Sequence, residues 1–317
     1  MQFHICLEGE YTRLDNMQNA SSLKRGHNIS SIKLEETIAL GLLWLSGWLV
    51  VAVLLFIIGY IFYYGIPEAF SFNYLFAPPE GGRYDTGGIL YQIVATLYLI
   101  IGSIMVAAPI GISTAIYLSE YAPQNIVTNM IRFAIENLAG IPSIIYGLFG
   151  LAFFVVFLKF EYSLLAGGLA VAVMILPVII RTSEEALKAV PVGYRQSSLA
   201  LGVNKWQTIY KVIVPSALPG ILTGILLSIG RVIGESAILI LAAGGSITAI
   251  PRFVSLNYPY FLPDSARTLA VHLYYQATSY DARSKAFATG VVLIFLVLFL
   301  NFCIDFISKK YRTRLAR

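Results

Sequence analysis

Long apolar runs, broken by short polar connections, dominate this chain. Runs with at most one or two charges cover 39–64, 87–119, 133–158, 162–180, 216–243 and 286–304. Each approaches or exceeds the ~20 apolar residues that a bilayer-spanning helix needs. The pattern predicts an all-α polytopic membrane protein with six transmembrane helices. The first run is too long for a signal-peptide core and no small-residue cleavage pattern follows it, so it reads as an uncleaved helix. The second holds no charge from Gly87 to Ser119. As one helix it would exceed ~45 Å at 1.5 Å per residue, so Pro109 and Gly111 are expected to bend or divide it. The third contains Gly140-Ile141-Pro142-Ser143 and Gly147. Gly, Pro and Ser in mid-span serve either close helix packing, the commoner use, or a local opening that lines a cavity.

The polar connections complete the organisation. Residues 1–38 read as a mostly disordered arm, in which Asn28-Ile29-Ser30 matches a glycosylation acceptor by chance. Residues 39–308 form one transmembrane domain, which includes a structured loop at 181–215 and a long mixed loop at 244–285 with a short helix over 265–277. Residues 309–317 are a basic tail. No internal repeat or inverted pair of broken helices stands out, which argues against a secondary-transporter fold.

Composition narrows the class. Hydrophobic residues make up 57% and charged residues 12%, about half the charge of a soluble protein. The net charge of +5 does not point to nucleic acid, because the basic residues cluster at the ends of spans. With both termini inside, fifteen Lys and Arg fall on the cytoplasmic side, six outside, and Arg231 lies within a span. That excess predicts cytoplasmic N- and C-termini in a cell (inner) membrane. Cys6 and Cys303 suggest no disulfide framework, and His4, His27 and His272 no metal site. Neither a GxxxxGK[ST] nor a GxGxxG motif occurs, so this chain is not expected to bind ATP itself. No catalytic carboxylate pair or Ser/His cluster within the spans supports an intramembrane enzyme.

Arg231 and Glu235 are the charged residues of the apolar segment Val212–Ile250. Four apart, they share a face on a helix. A charge at bilayer depth costs at least a few kcal/mol, about 2.5 or more on insertion scales. Two readings are open: a functional site facing a wet cavity, or a buried ion pair that locks helices together.

The 181–215 loop reads as two short helices around a tight turn. Pro191 opens the first, Gly202 fits a C′ position that needs positive φ, Asn204 fits the N-cap of 205–213, and Pro215 ends that element. Leu199, Leu201, Val203, Trp206, Ile209 and Tyr210 supply apolar side chains. Such a loop is a docking surface for a partner, or an amphipathic element lying on the membrane. A DNA-binding helix-turn-helix is disfavoured because spans flank it closely.

Gln196-Ser197-Ser198-x3-Gly202-x9-Val212-x-Val214-Pro215 resembles the Glu-Ala-Ala loop of ABC importer permeases, with Gln-Ser-Ser in place of the leading Glu-Ala-Ala. Leu176–Glu184, Gly140–Gly147 and Gly230–Ser236 are similar to the phosphate-specific importer permeases, and Ala266–Tyr274 to the A-type subunit of that importer. The resemblance implies a type I ABC importer permease fold, with half of a translocation pathway for inorganic phosphate. It implies a second, C-type permease, an ATPase dimer that binds ATP and Mg, and an extracytoplasmic phosphate-binding protein, with no cofactor in this chain. Gln196, Ser197, Ser198, Gly202, Asn204, Trp206 and Pro215 would form the ATPase-coupling loop. Arg231 would meet phosphate with its forked donors. Glu235 would hold Arg231 and accept a proton from HPO4(2−). Ser236 and Ser143 offer hydroxyl donors, and Arg181 a positive charge at the inner end of span four. Permeases for another oxyanion or phosphonate, and an ion-coupled secondary anion carrier, are the alternatives.

Overall fold

A computed structural model describes residues 3–77, 87–246, 265–279 and 282–315. The loop segments 78–86, 247–264 and 280–281 lie outside the described residues, as do the side chains of His4, Cys6, His27 and the Asn28-Ile29-Ser30 acceptor. Residues 1–60 form one unit and 61–317 another.

The first unit is carried by helix α1 (Phe3–Ala69), whose last turns enter the second. The arm expected to be disordered is therefore helical and continuous with the first span. No proline precedes Pro67, so each residue added to the preformed span gains a hydrogen bond without fresh nucleation. From residue 36 to 60 the helix is apolar all round and exposed, the character of a helix surrounded by lipid.

The second unit continues with α2 (Phe72–Phe76), α3 (Leu90–Ile116), α4 (Ile126–Ala139), α5 (Ser143–Gly150) and α6 (Leu164–Lys188). Next come α7 (Val192–Ala200), α8 (Lys205–Thr208), α9 (Val214–Gly234), α10 (Ala237–Ala242), α11 (Leu269–Thr278) and α12 (Arg283–Leu315). π-Helical turns extend α3 over Tyr117–Tyr121 and α5 over Leu151–Phe157, and join α8 to α9 over Ile209–Ile213. Among the described residues, five helices are long and apolar enough to cross a membrane, and α4 with α5, bent by 98°, makes a sixth if the pair is one broken span.

Three boundaries differ from the sequence expectation. α3 passes through Pro109 undivided, because its small residues Ala107, Gly111 and Ala115 form a buried stripe that packs on α6. α6 runs on to Lys188, so Arg181 sits on a helix rather than at the start of a loop. Pro215 does not end the α8 element. The π turn runs straight into α9, where Pro215 occupies the first turn and needs no N–H partner.

α6 is the centre of the bundle and packs against α3, α4, α5, α9 and α10. Its Ala166, Ala170, Met174, Ile175 and Ile179 are fully buried. The α6–α9 contact is close enough that a Cβ on Gly224 would stand 2.8 Å from Thr182 Cβ and closer still to its hydroxyl. In lipid, where no hydrophobic force drives helices together, such backbone approach is a main source of association. α11 is docked on α3 by a buried hydrogen bond from Leu269 N–H to Thr96 Oγ1 (2.9 Å).

Gly224→Ala is expected to destabilise the protein by about 1–3 kcal/mol through overpacking, seen as a lower Tm in detergent. Adding Thr182→Ala should restore only part of the loss, because it removes the hydroxyl, the closest group, but leaves the Thr182 Cβ 2.8 Å away. A second expectation concerns His272 on α11. Burial, then the Arg267 and Lys285 charges, hold its pKa down to about 4. The folded state therefore binds fewer protons than the unfolded chain between about pH 4 and the ordinary 6.5. His272 contributes stability that is complete above about 6.5 and is lost as pH falls toward 4, by roughly a few kcal/mol. Tm should drop more steeply from pH 7.5 to 4.5 in the wild type than in His272→Gln, and equal slopes would disprove the assignment.

Candidate functional site

Two apolar helical segments are interrupted, and the helices that follow the two interruptions, α5 and α10, pack on each other. In the first, Gly140-Ile141-Pro142 separates α4 from α5. Pro142 has φ −58° and ψ 139° at the start of α5; its missing N–H and the extended bias it imposes on Ile141 favour a break here. The Tyr146 hydroxyl donates to Leu138 C=O at 2.7 Å, taking up one carbonyl left open at the end of α4. In the second, α9 stops at Gly234 and Glu235 is extended (φ −77°, ψ 124°). The Glu235 carboxylate accepts from Ile238 N–H at 3.2 Å and so caps α10. α5 and α10 then pack on each other at Gly147, where a Cβ would come within 3.1 Å of Ile238 Cα and 3.3 Å of Ala237 C=O.

The glycine- and proline-containing stretch thus provides both a break and a close approach. From sequence these two uses stand as alternatives, and 216–243 reads as one span. The second break went unseen because Gly234 and Glu235 are compatible with a continuing helix.

Arg231 lies in the last turn of α9, where the C-terminal end of the helix dipole favours a cation. It is partly exposed, and its charge reaches the Tyr146 hydroxyl on α5. The shared helical face expected for Arg231 and Glu235 does not exist, because the helix ends between them. No ion pair or hydrogen bond joins Arg231 to Glu235 among the described residues. Glu235 is 8% exposed and turned to its own cap. Ser236 follows it in the break, and Ser143 opens α5 one turn before Tyr146 and Gly147; both are partly exposed. Thr223, Leu227, Gly230 and Gly234 form an exposed stripe on α9 at helical spacing. Added Cβ atoms on Gly230 and Gly234 would meet nothing within 4 Å.

Arg181 belongs to a different cluster. Its guanidinium donates to Glu136 at 2.9 Å and to Glu185 at 3.1 Å. Arg132 donates to Glu184 at 2.8 Å and to Leu118 C=O at 2.8 Å, and Lys188 pairs with Glu184 at 2.6 Å. These three cations and three carboxylates line a cavity of about 160 Å³ between α4 and α6. The charges balance, so Arg181 does not present a free guanidinium.

The α7–α8 segment follows the turn chemistry read from sequence. Gly202 has φ +79°. Its N–H donates to Leu199 C=O and that of Val203 to Ser198 C=O, the paired bonds of a Schellman cap. Asn204 Oδ1 accepts from Gln207 N–H at 2.8 Å. Ser198 is buried and bonded to Thr208 Oγ1 at 2.9 Å, which locks the two helices together. Gln196 and Ser197 face outward, with Leu201 (82% exposed), Tyr210 (67%) and Trp206 (63%).

Sequence reasoning missed Tyr146 and the Arg195–Glu120 pair. Tyr146 lies in a stretch read for its small residues. Arg195 and Glu120 are 75 positions apart, and each alone is an ordinary charge at the end of an apolar run.

Comparison with known proteins agrees with this architecture. Residues 107–317 match the family "Binding-protein-dependent transport system inner membrane component". The chain is 35% identical over 282 residues to "Probable ABC transporter permease protein YqgI" of Bacillus subtilis, covering 85% of this chain and 93% of that protein. It is 34% identical over 231 residues to "Phosphate transport system permease protein PstA 1" of Mycobacterium tuberculosis, covering 71% and 73%. Its fold is similar to a chain of the inward-facing MetNI methionine ABC transporter, with a TM-score of 0.51 at 20% identity over 71% of this chain and 94% of that one. The chain belongs to the binding-protein-dependent transport system inner-membrane components, and is the non-catalytic, multi-pass permease subunit of an ABC importer whose ATP hydrolysis resides on a separate subunit.

Proposed function

We propose that this permease carries inorganic phosphate and that Arg231 is the group that meets it. The observation that carries the reading is the position of Arg231: at the end of an apolar helix, partly exposed, beside an open glycine-lined stripe, and with its carboxylate neighbour bonded to a cap. A guanidinium held in this way offers forked donors to an oxyanion. Relatives named as phosphate transport permeases support phosphate as the substrate. Ser143, Ser236 and the Tyr146 hydroxyl supply further polar groups around the same break. Glu235 acts by fixing the break, and its carboxylate accepts a hydrogen bond from the hydroxyl of HPO4(2−), a hydroxyl that sulfate lacks.

The α7–α8 segment is the ATPase-docking element, with Leu201, Trp206 and Tyr210 as its apolar contact face. It and both termini lie on the cytoplasmic side. The working assembly includes a C-type permease, an ATPase pair holding ATP and Mg, and an external phosphate-binding protein. Alternating access exposes the Arg231 break first outward and then inward, driven by nucleotide binding the two states unequally.

In vesicles carrying the complete set of subunits, Arg231→Gln should lower ATP-dependent phosphate uptake by at least roughly tenfold, the loss of one charge-assisted contact. The ATPase should still co-purify. Unchanged uptake would make Arg231 a structural residue. Glu235→Gln should narrow the preference for phosphate over sulfate, and an unaltered preference would end the hydrogen-bond-acceptor role.

A further inference from the structure

We propose that Glu120 and Tyr121, the last residues of the second span, form the socket through which movement of α7–α8 is passed to α3. The proposal rests on the reading of α7–α8 as the ATPase-docking element. Each helix of that element is fastened to one of the two residues. From α7, Arg195 donates through Nη2 to Glu120 Oε1 at 2.7 Å and through Nε to the same carboxylate at 3.2 and 3.4 Å. From α8, the Lys205 ammonium stands 4.6 Å from the centre of the Tyr121 ring, within the range of a cation–π contact.

Arg195 also reaches α6. Its Nη1 donates to Val190 C=O at 2.7 Å and its Nη2 to Leu187 C=O at 2.8 Å, carbonyls at the C-terminal end of α6. One guanidinium therefore joins α7 to the inner ends of α3 and α6, the two helices at the centre of the bundle. The pair is well shielded, with side-chain exposures of 21% for Arg195 and 8% for Glu120. Its geometry is forked and multiply bonded, unlike a lone surface ion pair that moves freely. Glu120 and Tyr121 close the π-helical turn Tyr117–Tyr121, a distortion that recurs at functional positions in helices. Arg195, Glu120 and Tyr121 act as positioning residues: they touch no substrate and carry force between the docking element and the spans.

The test uses the complete complex with Arg195→Lys, Glu120→Gln, Tyr121→Leu and the ring-preserving Tyr121→Phe. The ATPase subunit should co-purify with all four and still hydrolyse ATP. Phosphate imported per ATP hydrolysed should fall roughly tenfold in the first three, an ordinary size for a coupling effect, and stay at the wild-type ratio in Tyr121→Phe. An unchanged ratio in the first three overturns the socket. So does loss of the ATPase from them, since the residues would then only shape the docking face.

A second readout needs no substrate. In a Cys6→Ser, Cys303→Ser background, spin labels at the exposed positions 117 and 192 report the distance from the end of α3 to α7. A socket that moves as a unit gives the same distance with and without vanadate-trapped nucleotide in the wild type, and a shift on trapping in Arg195→Lys. A wild-type distance that changes on trapping overturns the proposal. If the wild type imports no phosphate, the substrate reading fails alone and the label distances decide the socket. If Trp206→Ala binds the ATPase at full strength, the docking-face reading fails separately.

Discussion

Hydrocarbon offers no hydrogen bonds, so every backbone group inside the membrane must be satisfied by the chain itself. An unbroken helix does this along its length; a broken one leaves up to four C=O groups where the first part stops and up to four N–H groups where the second begins. This permease breaks two spans and contains the consequences locally. Tyr146 covers a carbonyl of α4 from one turn inside α5, and Glu235 covers an N–H of α10 from the residue just past α9. Both repairs are made within the contact between α5 and α10 that Gly147 allows. The break, the repair and the helix contact are thus one construction. Arg231 takes its place from it, because a helix that ends at Gly234 leaves that side chain in its final turn.

The charged residues divide into two kinds by their partners. Near the ends of α3, α4 and α6, cations and carboxylates are matched, and Glu184 is buried between Arg132 and Lys188. Exposed members such as Arg181 with Glu136 add little stability, because solvent screens the pair. A shielded carboxylate such as Glu184 is different, since removing a partner from a buried pair costs about 3–5 kcal/mol. These residues fix where helices sit. Arg231 is the contrasting case: it stands in the last turn of α9, where the helix dipole favours a cation, and no ion pair to it occurs among the described residues.

Much of this was legible in the sequence because lipid imposes simple rules. Six apolar runs gave six spans, and turn chemistry at Gly202 and Asn204 gave the α7–α8 hairpin with its caps. What failed were inferences from a local rule that tertiary contacts override. Pro109 is expected to bend or divide its span; the helix is not divided there, and small residues of α3 pack on α6. Arg231 and Glu235 read as helical neighbours at i and i+4, but the rule holds only while the helix lasts. The break itself is stabilised by Glu235, the residue that spoils the pattern. The Arg195–Glu120 pair was invisible for another reason: two charges 75 residues apart carry no periodicity that links them.

The path of Pro215 has a mechanical consequence. Had it ended the α8 element, the docking face and the Arg231 break would belong to separate bodies joined by a loop. Instead the helix runs from Lys205 to Gly234 as one span of 30 residues, about 45 Å at 1.5 Å per residue. The π turn Ile209–Ile213 takes up the irregularity just before the proline. One end of this rod carries Trp206 and the other carries Arg231. If α7–α8 is the docking element proposed above, a displacement there would reach the Arg231 break along a single helix, whereas α3 and α6 would receive it through Arg195. A rod and a side-chain clasp acting from the same short hairpin would then give two helices of the core and the Arg231 helix a common origin of movement, as a rigid-body change of access requires.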